Sequence, residues 1–450
     1  MSNLTPPRHS PLIAPMPWSL DATKLLFTAV VLYLTLSMFL YPYGFRLVGT
    51  AFFRFGDFVA LLVFAVAALL ILLYGRIRGT ILIFWPVLPL LVVDMLMPLA
   101  GVVLFGATSG INNALRTLTL HALVLTAACF ADSRRLDELL KPIIFVLKFG
   151  LLANLVYVSI QIGVSVQLLP ESLLITRRLE MFSDGTVREH FLRPSGFFRR
   201  APDIAEFGVI GLGFFAARFK YTNRWSDMIF AVIGIVLVLL STSRATLVAV
   251  AVILLLFFGS YLVQFKLRTL FQIGRIALVI VVVSSVFLWW LGSAVDTERY
   301  FARVARLGSA EITEDRSLLT RTEKRWPYVL DQVERKYPYG TLINPHDVFG
   351  PVDSGFLFYY VQGRWLGLVP VLWLFAGLFY LIFLKRYQRA GWTRLFLLYL
   401  AVHTGTRMIV SVALHQPVLM FWLYLSLWLL YAEEQGYLTP LSTPDKQTQA

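Results

Sequence analysis

The chain has 450 residues, of which 58% are hydrophobic and only 15% are charged, and its mean hydropathy is +0.72. A typical soluble protein has roughly 25% charged residues, so this composition excludes a soluble globular protein and predicts a polytopic membrane protein. The net charge of +14 fits cytoplasmic loops that set topology and basic sites for anionic ligands. Nucleic-acid binding is the weaker explanation, because no soluble basic domain is visible. The single cysteine, Cys129, excludes an intrachain disulfide and a cysteine-based metal site.

Long apolar stretches divide the chain into candidate membrane spans, since crossing about 30 Å of hydrocarbon takes about 20 helical residues. The predicted spans lie at 24–41, 57–74, 80–100, 111–130, 143–168, 203–218, 227–242, 245–265, 273–293, 355–384, 394–411 and 416–432. The expected fold class is therefore all-α, a polytopic transmembrane bundle of about twelve helices that forms one domain over 24–432.

The termini and the basic residues indicate orientation. Residues 1–23 are polar and rich in proline, so we expect a flexible cytoplasmic tail rather than a signal peptide or a helix. With that tail inside, the even-numbered connections are also inside, and they are rich in lysine and arginine, as the positive-inside rule requires. Residues 433–450 then form a second cytoplasmic tail.

Two outward-facing segments, 169–202 and 294–354, are much longer than the other connections. Long loops translocate largely regardless of charge, so their arginines do not conflict with this orientation. In the second segment, apolar residues recur with helical spacing at 297–306 and 321–336. Because Gly and Ser are scarce there and aromatic residues are plentiful, we expect a folded, helical extracytoplasmic loop rather than a linker.

Three arginines precede a predicted span in the segment LRPSGFFRRAPDIAEFG. They are Arg193, Arg199 and Arg200, and they are followed by Pro202 and Asp203, which are typical of the first turn of a helix. A helix N-terminus with arginines beside it suits an anion, because free N–H groups and guanidinium groups both donate to phosphate oxygens. The alternative is that these arginines bind lipid head groups at the membrane interface.

A fourth arginine, Arg244, lies in the hydroxyl-rich turn STSRATL between two very apolar segments. The predicted orientation puts this turn on the same side of the membrane as the first cluster, where its guanidinium can reach a diphosphate. The alternative is an arginine that caps a helix and extends its side chain to the interface.

Acid and base side chains crowd the segment that returns the large loop to the membrane, NPHDVFGPVDSGFLFYYVQGRWLGL. Asp353 is a candidate proton acceptor, and His346 is of a residue type that ordinarily titrates near neutral pH. The alternatives are that Asp353 is a plain helix cap and that His346 is a surface histidine.

Several charged residues are predicted within or near apolar helices, where a charge is costly and usually faces a cavity or a partner. They are Arg116, Arg364 and Arg407, and Asp94 is a candidate partner for one of them. Neither an HExxH motif nor a carboxylate cluster indicates a metal site.

The order of these motifs resembles that of the O-antigen ligase/polymerase superfamily. RPSGFFRRAPDIAEF is followed by TSRATLV after two apolar spans, and then by a large loop that runs through Arg321, Trp326 and PYG into VDSGFLFYYVQGRWLGL. The resemblance covers residues from about 190 to 370. It implies a bacterial envelope glycosyltransferase of the GT-C type, located in the inner membrane with its active site facing the periplasm.

The resemblance implies transfer of an oligosaccharide from undecaprenyl diphosphate to an acceptor hydroxyl, with no cofactor and no metal. It assigns diphosphate binding to Arg193 and Arg244, with Arg321 as a further candidate, and Arg199 and Arg200 lie close to the first of these. The implied partners are an undecaprenyl-diphosphate-linked oligosaccharide, membrane lipids and a chain-length regulator protein.

The sequence departs from the ligase branch at the position that activates the acceptor. The ligase pattern has a histidine there, whereas alignment on the Arg364–Gly367 end places Asp353 and Ser354 at that point, with His346 earlier in the chain. This favours a polymerase that joins repeat units of O-antigen or exopolysaccharide over a ligase that transfers glycan to lipid A-core or protein. A lipid-linked glycan flippase is a third alternative, although short loops and related halves would be expected of it.

Overall fold

The computed structural model describes residues 22–39, 44–47, 51–54, 79–106, 109–165, 168–174, 180–184, 187–198, 201–241, 243–262 and 320–438, with single helical positions at 59, 62, 65, 274, 278 and 282. Nearly all of the predicted spans at 57–74 and 273–293 lies outside the described residues. So do most of both tails and the part of the large loop from 294 to 319, which includes the predicted helix at 297–306.

Twelve α-helices lie among the described residues. They are α1 (Ala22–Phe39), α2 (Leu88–Phe105), α3 (Ser109–Phe130), α4 (Leu136–Ser165), α5 (Ala201–Thr222), α6 (Trp225–Ser241), α7 (Arg244–Leu262), α8 (Trp326–Lys336), α9 (Pro345–Phe349), α10 (Gly355–Phe379), α11 (Trp392–Val410) and α12 (Pro417–Glu434). Shorter 3-10 or π-helical turns lie at Gly79–Phe84, Ser133–Arg135, Glu171–Leu173, Thr320–Arg325, Tyr380–Leu384 and Ala413–His415.

The prediction of a helical bundle is confirmed. Every predicted span that falls on described residues overlaps an α-helix, although the predicted span at 80–100 begins in a 3-10 turn and its α-helix starts only at Leu88. Helix α8 with the turn before it matches the helix predicted at 321–336. Four of the described helices are long and apolar enough to cross a membrane, namely Leu88–Phe105, Ser133–Val164, Arg244–Tyr261 and Gly355–Leu384. Thr23–Phe39 and Trp225–Ser241 are apolar but shorter.

Two antiparallel β-hairpins depart from the all-α prediction. The first joins β1 (Gly44–Leu47) to β2 (Ala51–Arg54), and the second joins β3 (Glu180–Asp184) to β4 (Val187–Arg193). The second hairpin lies in the long segment 169–202. The Asp-Gly dipeptide at 184–185 is the sequence signal that predicts this hairpin.

Helix α12 lies at the centre of the bundle. Most of its side chains are buried, including the indoles of Trp422 and Trp428. Phe214 of α5 makes edge contacts with Trp422 and with Trp392 at the start of α11, so large aromatic rings fill the space between these helices. The core is thus aromatic and continuous from α5 to α12.

The N-terminal ends of α5, α7 and α10 meet the C-terminal end of α11 at one end of the bundle, which we name the site end. The connections from α5 to α6 and from α6 to α7 are each only two residues long, so successive helices reverse direction and α5 and α7 begin at the same end. Arg407 in the last turn of α11 contacts Glu206 of α5 at 3.5 Å. The Ser354 hydroxyl at the start of α10 donates to the Met408 carbonyl at 3.4 Å.

Two glutamates secure the opposite end, where α11 begins and α12 ends. The Glu434 carboxylate accepts from the backbone N–H groups of Gln388, Arg389 and Ala390 at 3.1–3.2 Å. Burial alone would raise the pKa of Glu434, but these three donors hold it below its ordinary value. Burial raises the pKa of Glu433, against the opposing effect of its hydrogen bonds from Thr393.

Helix α10 is broken near its N-terminal end. Gly363 and Arg364 leave helical geometry, and the carbonyls of Val361 and Gln362 accept instead from Thr341 and Leu342 in the large loop, at 2.9 and 2.8 Å. The part of α10 after the break, together with the helical turn Tyr380–Leu384 that continues it, covers 365–384 and rises about 30 Å at about 1.5 Å per residue, which matches the hydrocarbon core of a bilayer. The break therefore explains why the predicted span at 355–384 is longer than one crossing needs.

Candidate functional site

Two of the predicted site residues are in direct contact at the site end. The Arg321 Nε lies 3.0 Å from the Asp353 Oδ2, and the two side chains are 35% and 29% exposed. Arg321 belongs to the helical turn that leads into α8, and Asp353 directly precedes the Ser354 cap of α10. The folding of the large loop thus brings a cation and a carboxylate together across about thirty residues of chain.

Asp353 does not cap α10, so the alternative that it is a plain helix cap is wrong. The N-cap is Ser354, whose hydroxyl accepts from the Leu357 N–H at 3.4 Å. The aspartate carboxylate points instead to Arg321 and remains partly open to solvent. Asp353 is therefore free to meet a ligand without unwinding the helix.

His346 is exposed, but its ring is tied to the backbone. Asn344 caps α9 by accepting from the His346 N–H at 3.1 Å, and the His346 Nδ1 accepts from the Val352 N–H at 2.9 Å. The same Nδ1 lies 3.4 Å from the Gly350 carbonyl, but an amide N–H can only donate, so the shorter contact with Val352 favours the ring form with its proton on Nε2. This geometry favours Asp353 over His346 as the proton acceptor and suits His346 to positioning the 350–352 backbone.

Arg364 joins the large loop to the broken helix. Its guanidinium donates to the carbonyls of Val333, Glu334 and Tyr337 and to the Tyr360 hydroxyl, at 2.9–3.2 Å. These carbonyls belong to the C-terminal end of α8, where cations are favoured. The backbone of Arg364 is left-handed, with φ of 53°, and its four hydrogen bonds offset the strain of that conformation.

We expect Arg364→Ala to release α8 from the bundle. Loss of these hydrogen bonds should cost about 2 kcal/mol, or roughly a thirtyfold shift toward the undocked loop. Chymotrypsin should then cleave the large loop at its aromatic residues much faster in the variant than in the wild type. On a gel, the fragments that contain the helices of the bundle should remain uncleaved. Arg335→Ala is the matched control, because Arg335 is 73% exposed and forms an ion pair with Asp331, one turn earlier in α8. Equal cleavage of Arg364→Ala and the control would contradict this role.

The turn that follows Arg193 is anchored to α4 by two buried amides. The Gln161 Oε1 accepts from the N–H groups of Ser195 and Gly196 at 3.1 and 3.0 Å, and the Asn154 Oδ1 accepts from the Phe197 N–H at 3.0 Å. Arg193 ends β4 immediately before this turn, although its side chain lies outside the described residues. Arg199 and Arg200, which follow the turn, also lie outside them.

Arg244 is the first residue of α7 and is half-buried. The hydroxyls around it hold the turn, since the Ser241 Oγ accepts from the Ser243 N–H and the Thr246 Oγ1 donates to the Ser243 carbonyl. The hydroxyl-rich motif is thus explained by local structure, and Arg244 lies at the site end.

A buried charged cluster at the site end was not predicted as such. Arg407 is a candidate from the sequence, whereas its partner Glu206, in the APDIAEF motif, is not. Both side chains are almost fully buried, at 6% and 3% exposure. His403, one turn before Arg407, is fully buried, and neither ring nitrogen has a hydrogen-bond partner among the described residues. A carboxylate in an apolar helix that needs a countercharge is the signal that could have identified Glu206.

Asp94 has different partners from those expected. The Tyr359 hydroxyl donates to its Oδ2 at 3.1 Å, and the His121 Nε2 lies 3.6 Å from the same oxygen. The other ring nitrogen of His121 is 2.9 Å from the Tyr424 hydroxyl. All four side chains are buried, so this network links α2, α3, α10 and α12 inside the bundle.

The structure thus brings Arg321 and Asp353 together, puts His346 in the same loop segment, and locates Arg244 and the Arg193 turn at the same end of the bundle. Among the residues that it describes, no group of three or more His, Cys, Asp or Glu side chains could hold a metal ion. Compared with known proteins, the chain matches no protein-family model and no curated sequence.

Proposed function

We propose that the protein is an envelope polysaccharide polymerase of the inner membrane. It would transfer an undecaprenyl-diphosphate-linked glycan to a hydroxyl of another lipid-linked repeat unit at the periplasmic face. The observation that carries the proposal is the contact between Arg321 and Asp353, because a guanidinium suited to a diphosphate and a carboxylate suited to a proton lie side by side and partly open to solvent.

Further features of the site end support an anionic lipid as the substrate. Arg244 lies at the N-terminal end of α7, and the turn after Arg193 comes just before the N-terminal end of α5. Partial positive charge at helix N-termini adds to that of the arginines, so this end attracts phosphate. The proposal assigns the site end to the periplasm and both termini to the cytoplasm, in agreement with the distribution of basic residues.

The proposed chemistry needs charge balance, orientation and one base. The acceptor oxygen attacks the anomeric carbon, and the bond from that carbon to the diphosphate oxygen breaks. Undecaprenyl diphosphate leaves with the electron pair, stabilised by arginines, and Asp353 takes the proton of the acceptor hydroxyl. Attack opposite the leaving group inverts the anomeric configuration. The sugar is already activated on the lipid, so no nucleotide site is required.

Reaction of the purified protein with defined undecaprenyl-diphosphate repeat units tests the proposal. We expect products several repeats long when the glycan is sized, and unchanged single units would contradict it.

A knockout separates the polymerase from the ligase when the cellular glycans are compared by electrophoresis. Loss of a polymerase leaves single repeat units on the final acceptor, whereas loss of a ligase leaves long glycan on undecaprenyl diphosphate.

The buried Asp94–His121 pair favours a second candidate, a lipid-linked glycan flippase. Ionisable side chains inside a helical bundle are common in transport pathways, and this pair lies among four helices. Transport of a labelled lipid-linked sugar across proteoliposomes, without any new glycosidic bond, would support the flippase over the polymerase.

A further inference from the structure

We propose that, when no substrate is bound, the Asp353 carboxylate pairs with Arg321 at the position that a phosphate group takes in the complex. The diphosphate of the lipid donor then displaces the carboxylate from Arg321. This inference rests on the proposed function, which supplies the diphosphate. Displacement has two effects at once: the guanidinium binds the leaving group, and the released carboxylate becomes available to the acceptor hydroxyl. Binding of the donor would thus produce the base.

The exposure of the ion pair allows such an exchange. Both side chains are about one-third exposed, so the Arg321–Asp353 contact is worth little in free energy and a second anion can reach it. A diphosphate carries more negative charge than a carboxylate and offers more acceptor oxygens, so it competes well for a guanidinium. The buried Arg407–Glu206 pair, at 6% and 3% exposure, offers no comparable access.

The surroundings keep the exchange local. Arg325, one turn after Arg321, donates to the Phe349 carbonyl at 3.5 Å, and His346 holds the Val352 N–H. Ser354 is tied to α10 and α11 through Leu357 and Met408. With the backbone on both sides of Asp353 held in this way, breaking the ion pair requires rotation of side chains and not movement of the loop.

The exchange predicts an unusual phenotype for Asp353→Asn. Its affinity for undecaprenyl diphosphate should be tighter than that of the wild type by about fivefold, equivalent to about 1 kcal/mol, because no carboxylate competes for Arg321. Its rate of glycan transfer should nevertheless fall by at least about a hundredfold, because the base is missing. Arg321→Ala should bind undecaprenyl diphosphate at least about tenfold more weakly.

Binding is measured by calorimetry on the purified protein in detergent with undecaprenyl diphosphate, and transfer is measured separately with lipid-linked repeat units. Asp331→Asn is the matched control: Asp331 also pairs with an arginine of the large loop, Arg335 at 2.7 Å, and it should leave both properties unchanged. In an Arg321→Ala background, Asp353→Asn should no longer tighten binding, because the competition acts through Arg321.

The two proposals fail in different ways. If Asp353→Asn binds undecaprenyl diphosphate no more tightly than the wild type, the exchange is overturned, whatever the transfer assay gives. If Asp353→Asn still tightens binding after Arg321 is removed, the effect is general charge repulsion, and the exchange is again overturned. If binding behaves as expected but no protein sample forms a glycosidic bond, the exchange stands and the polymerase proposal fails.

Discussion

Arg193→Ala and Arg244→Ala are each expected to abolish long glycan chains while the protein still inserts and folds. Each substitution removes a guanidinium that is proposed to donate to the diphosphate leaving group. Loss of a single donor of this kind typically lowers turnover by about a hundredfold to a thousandfold. The measurement is product sizing with purified protein and lipid-linked repeat units, beside a test of insertion by membrane fractionation.

The control for these variants is Arg335→Ala, which removes an exposed arginine of α8 that pairs with Asp331. It should keep wild-type chain lengths. Arg193→Lys and Arg244→Lys should retain part of the activity, since a lysine keeps the charge but lacks the planar fork of donors. Wild-type chain lengths from both alanine variants would rule out diphosphate binding by these arginines.

Arg407→Ala should be the most destabilising single substitution at the site end. It removes the arginine that lies 3.5 Å from the buried Glu206 carboxylate, and breaking a buried ion pair by removing one member costs about 3–5 kcal/mol. The free energy of unfolding, measured by denaturant titration in mixed micelles, should fall by this amount.

The paired variant Glu206→Leu with Arg407→Met separates charge from packing. Replacing both charges by apolar side chains of similar size is often neutral or stabilising, so this variant should unfold within about 1–2 kcal/mol of the wild type. If the double variant is as unstable as Arg407→Ala, the cluster contributes through its packing, or through His403, and not through charge balance.

Helix positions were predictable because apolar length is a property of the local sequence. The start of α5 near Asp203 and the turn before Arg244 follow from capping residues and from the change in hydropathy. The juxtaposition of Arg321 and Asp353 was not predictable in the same way, since it depends on how the large loop folds back onto α10. Charge and residue type identified both side chains as candidates, but neither property indicates a contact.

The other features that the sequence did not predict depend on contacts between residues far apart in the chain. Glu206 and Arg407 are two hundred residues apart, and Asp94 meets Tyr359 across the bundle. The break in α10 follows from hydrogen bonds donated by Thr341 and Leu342, which a helical hydropathy pattern does not reveal. Gly363 beside Arg364 was the available local signal, because a glycine next to a charge inside an apolar helix weakens it at that point.

The Arg364 cap also sets an order of events during synthesis. Val333, at the end of α8, is synthesised 31 residues before Arg364, which binds its carbonyl. At translation rates of about 5–20 residues per second, this delay is roughly 2–6 s. For that time α8 lacks its C-terminal partner, and Thr341 and Leu342 lack the carbonyls of Val361 and Gln362. The large loop therefore completes its fold only after the start of α10 has left the ribosome.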